Sequence, residues 1–171
     1  MEGECNCMLK RKVIIPARID GTIIDIETTG LPEEGAEVIT LGTVSGSELQ
    51  ILQRTDEEDF SKTIKPILLR LPRPFYAFNK SFEERMLRVP IERELQAESY
   101  EKKARAIAVS RLPDPFSGNG FHAIDAWHKY VATKKLHFLA PIMDHNESDL
   151  LLETCLLIVR HSRKEEVETC V

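Results

Sequence analysis

The chain lacks an apolar run long enough to cross a bilayer, and its first residues lack the apolar core of a signal peptide. The expected location is therefore the cytoplasm, with no membrane partner. It also lacks low-complexity tracts and internal repeats, so nothing points to a solenoid or a disordered linker. Basic charge is not in surplus: 28 acidic against 23 basic residues leave a net charge of −5, and no global positive surface marks a passive nucleic-acid binder. That balance still permits an enzyme whose metal ions supply positive charge locally. Cysteine is scarce and poorly spaced. Cys5-Asn6-Cys7 has neither the two-residue spacer nor the second pair of a structural zinc site, Cys155 reads as a small core residue, and nothing requires a disulfide to Cys170.

What is present is a chain of 171 residues, 42% apolar and 30% charged, long enough to bury one core without disulfides. Its most informative stretch is Ile23-Ile24-Asp25-Ile26-Glu27-Thr28-Thr29-Gly30-Leu31. In a strand, residues i and i+2 share a face, so Asp25 and Glu27 point one way while Ile24 and Ile26 pack the other. Two carboxylates that close repel each other unless a cation lies between them. A hard ion with oxygen ligands, Mg²⁺ or Mn²⁺, suits the pair. Taken alone, the pair equally fits a solvated strand edge.

Along the chain, residues 1–20 read as an N-terminal extension: a polar start, the basic triplet Lys10-Arg11-Lys12 as a wet flank, and at most an edge strand at 13–15 cut by Pro16. Residues 21–171 read as a single domain. Strands are expected at 21–27, 37–44 and 48–54, joined by turns at 32–35 and 45–47 into an antiparallel meander. The period then becomes helical, from an N-cap near Thr55 to about Leu69, with Pro66 expected to kink or split the helix. Phe75-Tyr76-Ala77-Phe78 resembles a buried parallel strand, and Asn79-Lys80-Ser81 caps a helix over 82–88. Another helix is expected from Pro90 to about Lys103, a fifth strand at 104–109, a loop at 114–120, and helices at 121–130 and from Leu136 onward. This order implies an α/β fold, a mixed five-stranded sheet with helices on both faces and ligands at the carboxyl ends of the strands.

Further polar groups are expected at that rim. Glu83 falls in the first turn of the helix after the buried strand, with Glu84 as its competitor. His145 and Asp149 share a face if their helix is continuous; if Asn146 caps a new helix instead, they still lie close.

Three segments now carry a resemblance. Asp25-Ile26-Glu27-Thr28-Thr29-Gly30-Leu31 resembles the first motif of the DEDD, or DnaQ-like, 3′–5′ exonuclease superfamily. Ala77-Phe78-Asn79-Lys80-Ser81-Phe82-Glu83 resembles the second, with Glu83 where most members carry Asp. Asp144-His145-Asn146-Glu147-Ser148-Asp149 resembles the third. The nearest likeness is to RNase H-like predicted exonucleases of the YprB type, and it spans residues 21–158. His145 stands four residues before Asp149, whereas the common His-bearing branch uses five.

The resemblance implies an RNase H-like exonuclease domain over 21–171 that hydrolyses single-stranded DNA or RNA from an end with two Mg²⁺ or Mn²⁺ ions. It implies metal ligation by Asp25, Glu27, Glu83 and Asp149, with His145 as general base. It also implies substrate contacts by Thr28, Thr29, Gly30 and Leu31, with Phe78 and Asn79 along the strand's path. Two other readings share these residues: a catalytically silent RNase H-like module that binds nucleic acid or protein, and a structure-specific endonuclease on the same fold.

Overall fold

Two long strands form the frame on which the rest is packed. The computed structural model describes residues 8–56, 60–95 and 114–168, the side chains of 162–168 excepted. Strand β1 spans Met8–Thr28 and β2 spans Val38–Arg54. They pair antiparallel in two arms, 22–28 against 38–45 and 8–14 against 48–54. Pairing is interrupted by register shifts between Ile14 and Thr22. Pro16, which has no N–H to offer a ladder, sits in that interval.

Strand β2 doubles back at its middle. Thr40 Oγ1 donates to Gln53 Oε1 at 2.6 Å, although a straight strand would hold these residues about 43 Å apart. Gly46, at φ 58°, provides the bend. The expected strands at 37–44 and 48–54 are thus the two arms of β2, with the expected turn between them. The difference lies at the N-terminus, where residues 8–20 are not an extension but the first arm of β1. The antiparallel part is built from two long bent strands rather than three separate ones.

Strand β3, Phe75–Ala77, runs parallel to β1, as its dense apolar sequence suggests, and β4, Arg93–Glu94, runs parallel to β3. The mixed sheet has the order β2-β1-β3-β4. It has four strands among the described residues rather than five, and the fifth strand expected at 104–109 lies outside them. The helix expected from Pro90 is absent over 90–95. Glu92 and Leu95 instead donate their backbone N–H groups to Phe75 O and Ala77 O, at 3.1 and 2.8 Å, which draws this segment into the sheet.

The described residues include four α-helices: α1 Phe60–Leu68, α2 Lys80–Leu87, α3 Phe121–Thr133 and α4 Ala140–Glu168. Helix α1 buries Phe60, Ile64 and Leu68 at four-residue spacing and runs through Pro66 without splitting. A proline there has no N–H for the carbonyl four residues back and crowds it, yet the helix continues to Leu68. Helix α2 starts where expected, with Asn79 Oδ1 accepting from Phe82 N–H at 3.3 Å. None of the described helices is long and apolar enough to cross a membrane.

Strand alternation sorts the core into two faces. Ile24, Ile26, Phe75 and Ala77 pack with α1 and α2, while Ile23 and Tyr76 pack with Met143, Leu150 and Leu157 of α4. Each fully buried aliphatic side chain contributes about 1.5–3 kcal/mol. Asp25 and Glu27 therefore belong to the face that α4 covers. Helix α4 is tied there by Arg11, whose guanidinium lies 2.7 Å from both Asp144 and Glu147. The basic triplet is thus no simple wet flank: Arg11 pairs with α4 and Lys12 pairs with Glu48 at 2.7 Å.

Gly42 sits opposite Asp25 in the β1–β2 register. A Cβ at this position would collide with Asn146 Oδ1 and stand 2.6 Å from Leu150 Cδ1, so only glycine lets α4 lie this close to the sheet. Gly42→Ala should lower stability by about 1–3 kcal/mol, measured by urea denaturation. An unchanged midpoint would contradict this packing.

Candidate metal centre

Three chain segments deliver acids to the carboxyl ends of β1 and β3. Strand β1 supplies Asp25 and Glu27, and the first turn of α2 supplies buried Glu83. Helix α4 is continuous through this region, which decides between the two geometries open to His145 and Asp149. Its residues His145, Asn146, Asp149 and Glu153 succeed one another on the side facing the sheet. Asn146 Nδ2 donates to Asp25 Oδ2 at 2.6 Å. His145 Nε2 lies 3.6 Å from Asp149 Oδ2 and 3.9 Å from Glu27 Oε1. Glu27, His145 and Asp149 offer ligand atoms that all lie within 4.8 Å of one another, a group that can hold a metal ion.

The other face of the imidazole is held by the 114–120 loop. Asp114 Oδ1 lies 2.8 Å from His145 Nδ1. Burial opposes the charge on Asp114, but the backbone N–H groups of Phe116 and Gly118, together with His145, outweigh it and hold this carboxyl below its ordinary range. An ionised carboxylate can only accept, so Nδ1 carries a proton, and Nε2 is the ring nitrogen turned toward Glu27 and Asp149.

Two pockets open from these groups. One, of about 340 Å³, is lined by Asp25, Glu27, His145 and Asp149 on its polar side and by Leu31, Phe82, Phe121 and Ile124 on its apolar side. The other, of about 190 Å³, is lined by Asp25, Glu83, Asp149 and Glu153 together with Phe78, Asn79, Gly118 and Leu152. Asp25 and Asp149 border both. Neither lining includes Lys or Arg among the described residues.

Electrostatics follow from that crowding. Burial raises the Asp25 carboxyl well above its usual range, and the charges of Glu153, Glu27, Asp149 and Glu83 push the same way. Glu27 is raised by burial and Asp149 against the hydrogen bond from Asn146, and Glu153 by burial, Glu83 and Asp149. Glu83 is pushed up to about 7, chiefly by burial. Buried Oε2 atoms of Glu83 and Glu153 have no hydrogen-bond partner. Clustered oxygen donors with one imidazole fit a divalent ion such as Mg²⁺ or Mn²⁺.

The structure therefore brings together all five residues expected to act: Asp25, Glu27, Glu83, His145 and Asp149. The competitor Glu84 is instead occupied with Ile91 N–H, at 2.9 Å, and Lys80. Thr28, Gly30 and Leu31 line the larger pocket. Thr29 is engaged elsewhere: its N–H donates to Glu37 O and its Oγ1 accepts from Glu37 N–H, both at 2.9 Å. Leu31 N–H is taken by Glu34 at 3.3 Å, so Leu31 faces the pocket with its side chain, which is 47% exposed. Phe78 and Asn79 line the smaller pocket, where Asn79 also caps α2.

Three residues escaped the sequence reading. Asp114 lay in a stretch read only as a loop, Asn146 was considered only as a cap, and Glu153 was not considered, although its four-residue step beyond Asp149 continues the spacing of His145 and Asp149. No protein-family model matches the chain, and no curated protein matches it in sequence.

Carboxyls whose folded pKa exceeds the unfolded value make the native state bind extra protons, so stability is lost as pH rises from the unfolded toward the folded value. For Glu83 that window runs from 4.5 to about 7, and its contribution amounts to at most about 3 kcal/mol at about 1.4 kcal/mol per pH unit. Asp114 acts with the opposite sign, but Asp25, Glu27, Glu83 and Glu153 outnumber it. In chelator, the melting temperature is expected to fall from pH 5 to pH 8, and Glu83→Gln to raise it at pH 8. A wild-type melting temperature that climbs across this range would contradict the assignment.

Proposed function

We propose that this chain is a divalent-metal-dependent nuclease of the DEDD type on an RNase H-like fold, acting as a 3′–5′ exonuclease on single-stranded DNA or RNA. One observation carries the reading: acids from β1, α2 and α4, in the order of the three DEDD motifs, meet around Asp25 beside a histidine oriented by Asp114. Crowded acids with raised pKa values in a cleft mark a candidate functional site, and a phosphodiester centre uses such acids to hold cations.

Asp25, Glu27, Glu83 and Asp149 are the residues that would hold the ions. When bound, divalent ions neutralise the scissile phosphate and make water a stronger acid. Everything else is done by the chain's own groups. His145 Nε2, the ring nitrogen turned toward Glu27 and Asp149, takes the proton from the attacking water, while Asp114 accepts from the other ring nitrogen and stabilises the resulting imidazolium. Water oxygen bonds to phosphorus, the bond from phosphorus to the 3′ oxygen of the preceding nucleotide breaks, that oxygen takes a proton from solvent to become the new 3′-hydroxyl, and a nucleoside 5′-monophosphate leaves. Leu31 and Phe121, 47% and 68% exposed at the pocket rim, offer apolar surface to the terminal base. The pocket of about 340 Å³ is at the small end of ligand clefts and suits a single nucleotide.

The test is release of mononucleotides from a labelled linear single strand in Mn²⁺, with a circular strand alongside. Linear strands should be shortened and circles left intact. Asp25→Ala and Asp149→Ala should abolish release, and His145→Ala should slow it roughly 10²–10⁴-fold. Cutting of circles would move the reading to an endonuclease. Undiminished activity in both Asp variants would overturn it.

A further inference from the structure

Glu153 belongs to none of the three motifs, yet the fold buries it beside them. It is 2% exposed, one turn beyond Asp149 on α4. One of its oxygens accepts the backbone N–H of Phe78, and Oε2 has no partner. Across the same pocket of about 190 Å³ stands Glu83, 4% exposed, whose Oε2 also has no partner. Asp25 and Asp149 complete the polar lining. Among the described residues, every charged or ionisable group lining this pocket is a carboxylate, whereas the larger pocket contains the imidazole of His145.

We propose that Glu153 is a ligand of a second cation site, paired with Glu83 and distinct from the Glu27–His145–Asp149 group, with Asp25 and Asp149 between the two. The inference rests on the metal-dependent reading above and deepens it. It gives a physical place to Glu83, whose longer side chain reaches into a pocket shaped by a second glutamate. The all-oxygen donor set suits a hard ion, Mg²⁺ or Mn²⁺. An alternative resolution of two facing carboxyls is a shared proton, and ion counting separates the two.

The experiment counts Mn²⁺ per full-length chain by calorimetry and by electron paramagnetic resonance, with Glu153→Gln and Glu83→Gln as near-isosteric variants. Wild type should take up two ions. Each variant should take up one, or bind the second roughly tenfold or more weakly. The metal-free Glu153→Gln protein should melt at or above the wild-type temperature at pH 7, which separates loss of a ligand from loss of the fold. Two ions in Glu153→Gln at unchanged affinity, or fewer than two in wild type, would overturn the proposal. If ion uptake drops from two to one but no strand is degraded, the site stands and the nuclease reading falls. If wild type degrades strands and Glu153→Gln still binds two ions, the site falls and the nuclease reading stands.

Discussion

The structure depends on burying like charges against one another. Asp25 and Glu27 stand on the central antiparallel strand, and helix α4 closes over them while bringing Asp149 and Glu153 to the same place. Each acid raises the others, so the packed arrangement resists ionisation at neutral pH. What holds α4 in place lies around the acids rather than among them. Arg11 grips Asp144 and Glu147 from the first arm of β1, apolar residues of α4 fill the sheet face, and Gly42 leaves room for Asn146 to reach Asp25. A cation can relieve the repulsion without any of these contacts moving.

The same helix divides the acids between two pockets. Toward α3, the imidazole and the apolar rim of Leu31 and Phe121 surround one group of ligands. Toward α2, Glu83 and Glu153 face each other with open oxygens. Asp25 and Asp149 border both. The Asp114 loop adds orientation, because a histidine this buried acts predictably only if something fixes its tautomer.

Much of this was legible in local sequence. The alternation of Ile24 and Ile26 with Asp25 and Glu27 placed the acids on one face, Phe75-Tyr76-Ala77 read as a parallel strand, and Asn79 capped the helix that presents Glu83. Other features had no local signal. Pro16 suggested an interrupted edge, but 8–14 pair with 48–54 on one side of it and pairing resumes on the other, at Ile19 with Gly46, across register shifts. Residues 90–95 had no helix-breaking pattern after Pro90, and carbonyls of Phe75 and Ala77 recruited them as a strand. Arg11 looked like one of three surface cations because its partners lie more than 130 residues away.

By itself, the sequence determined the α/β class and the placing of Asp25 and Glu27 on one strand face and of Glu83 in the first turn of a capped helix, since these follow from side-chain periodicity and capping within a few residues. Only the tertiary structure decided which of them meet. It chose Glu83 over Glu84, gave Asp114 to His145 and Asn146 to Asp25, and placed Glu153 opposite Glu83. Those choices depend on how closely α4 approaches the sheet over Gly42, a distance set by packing between segments about a hundred residues apart.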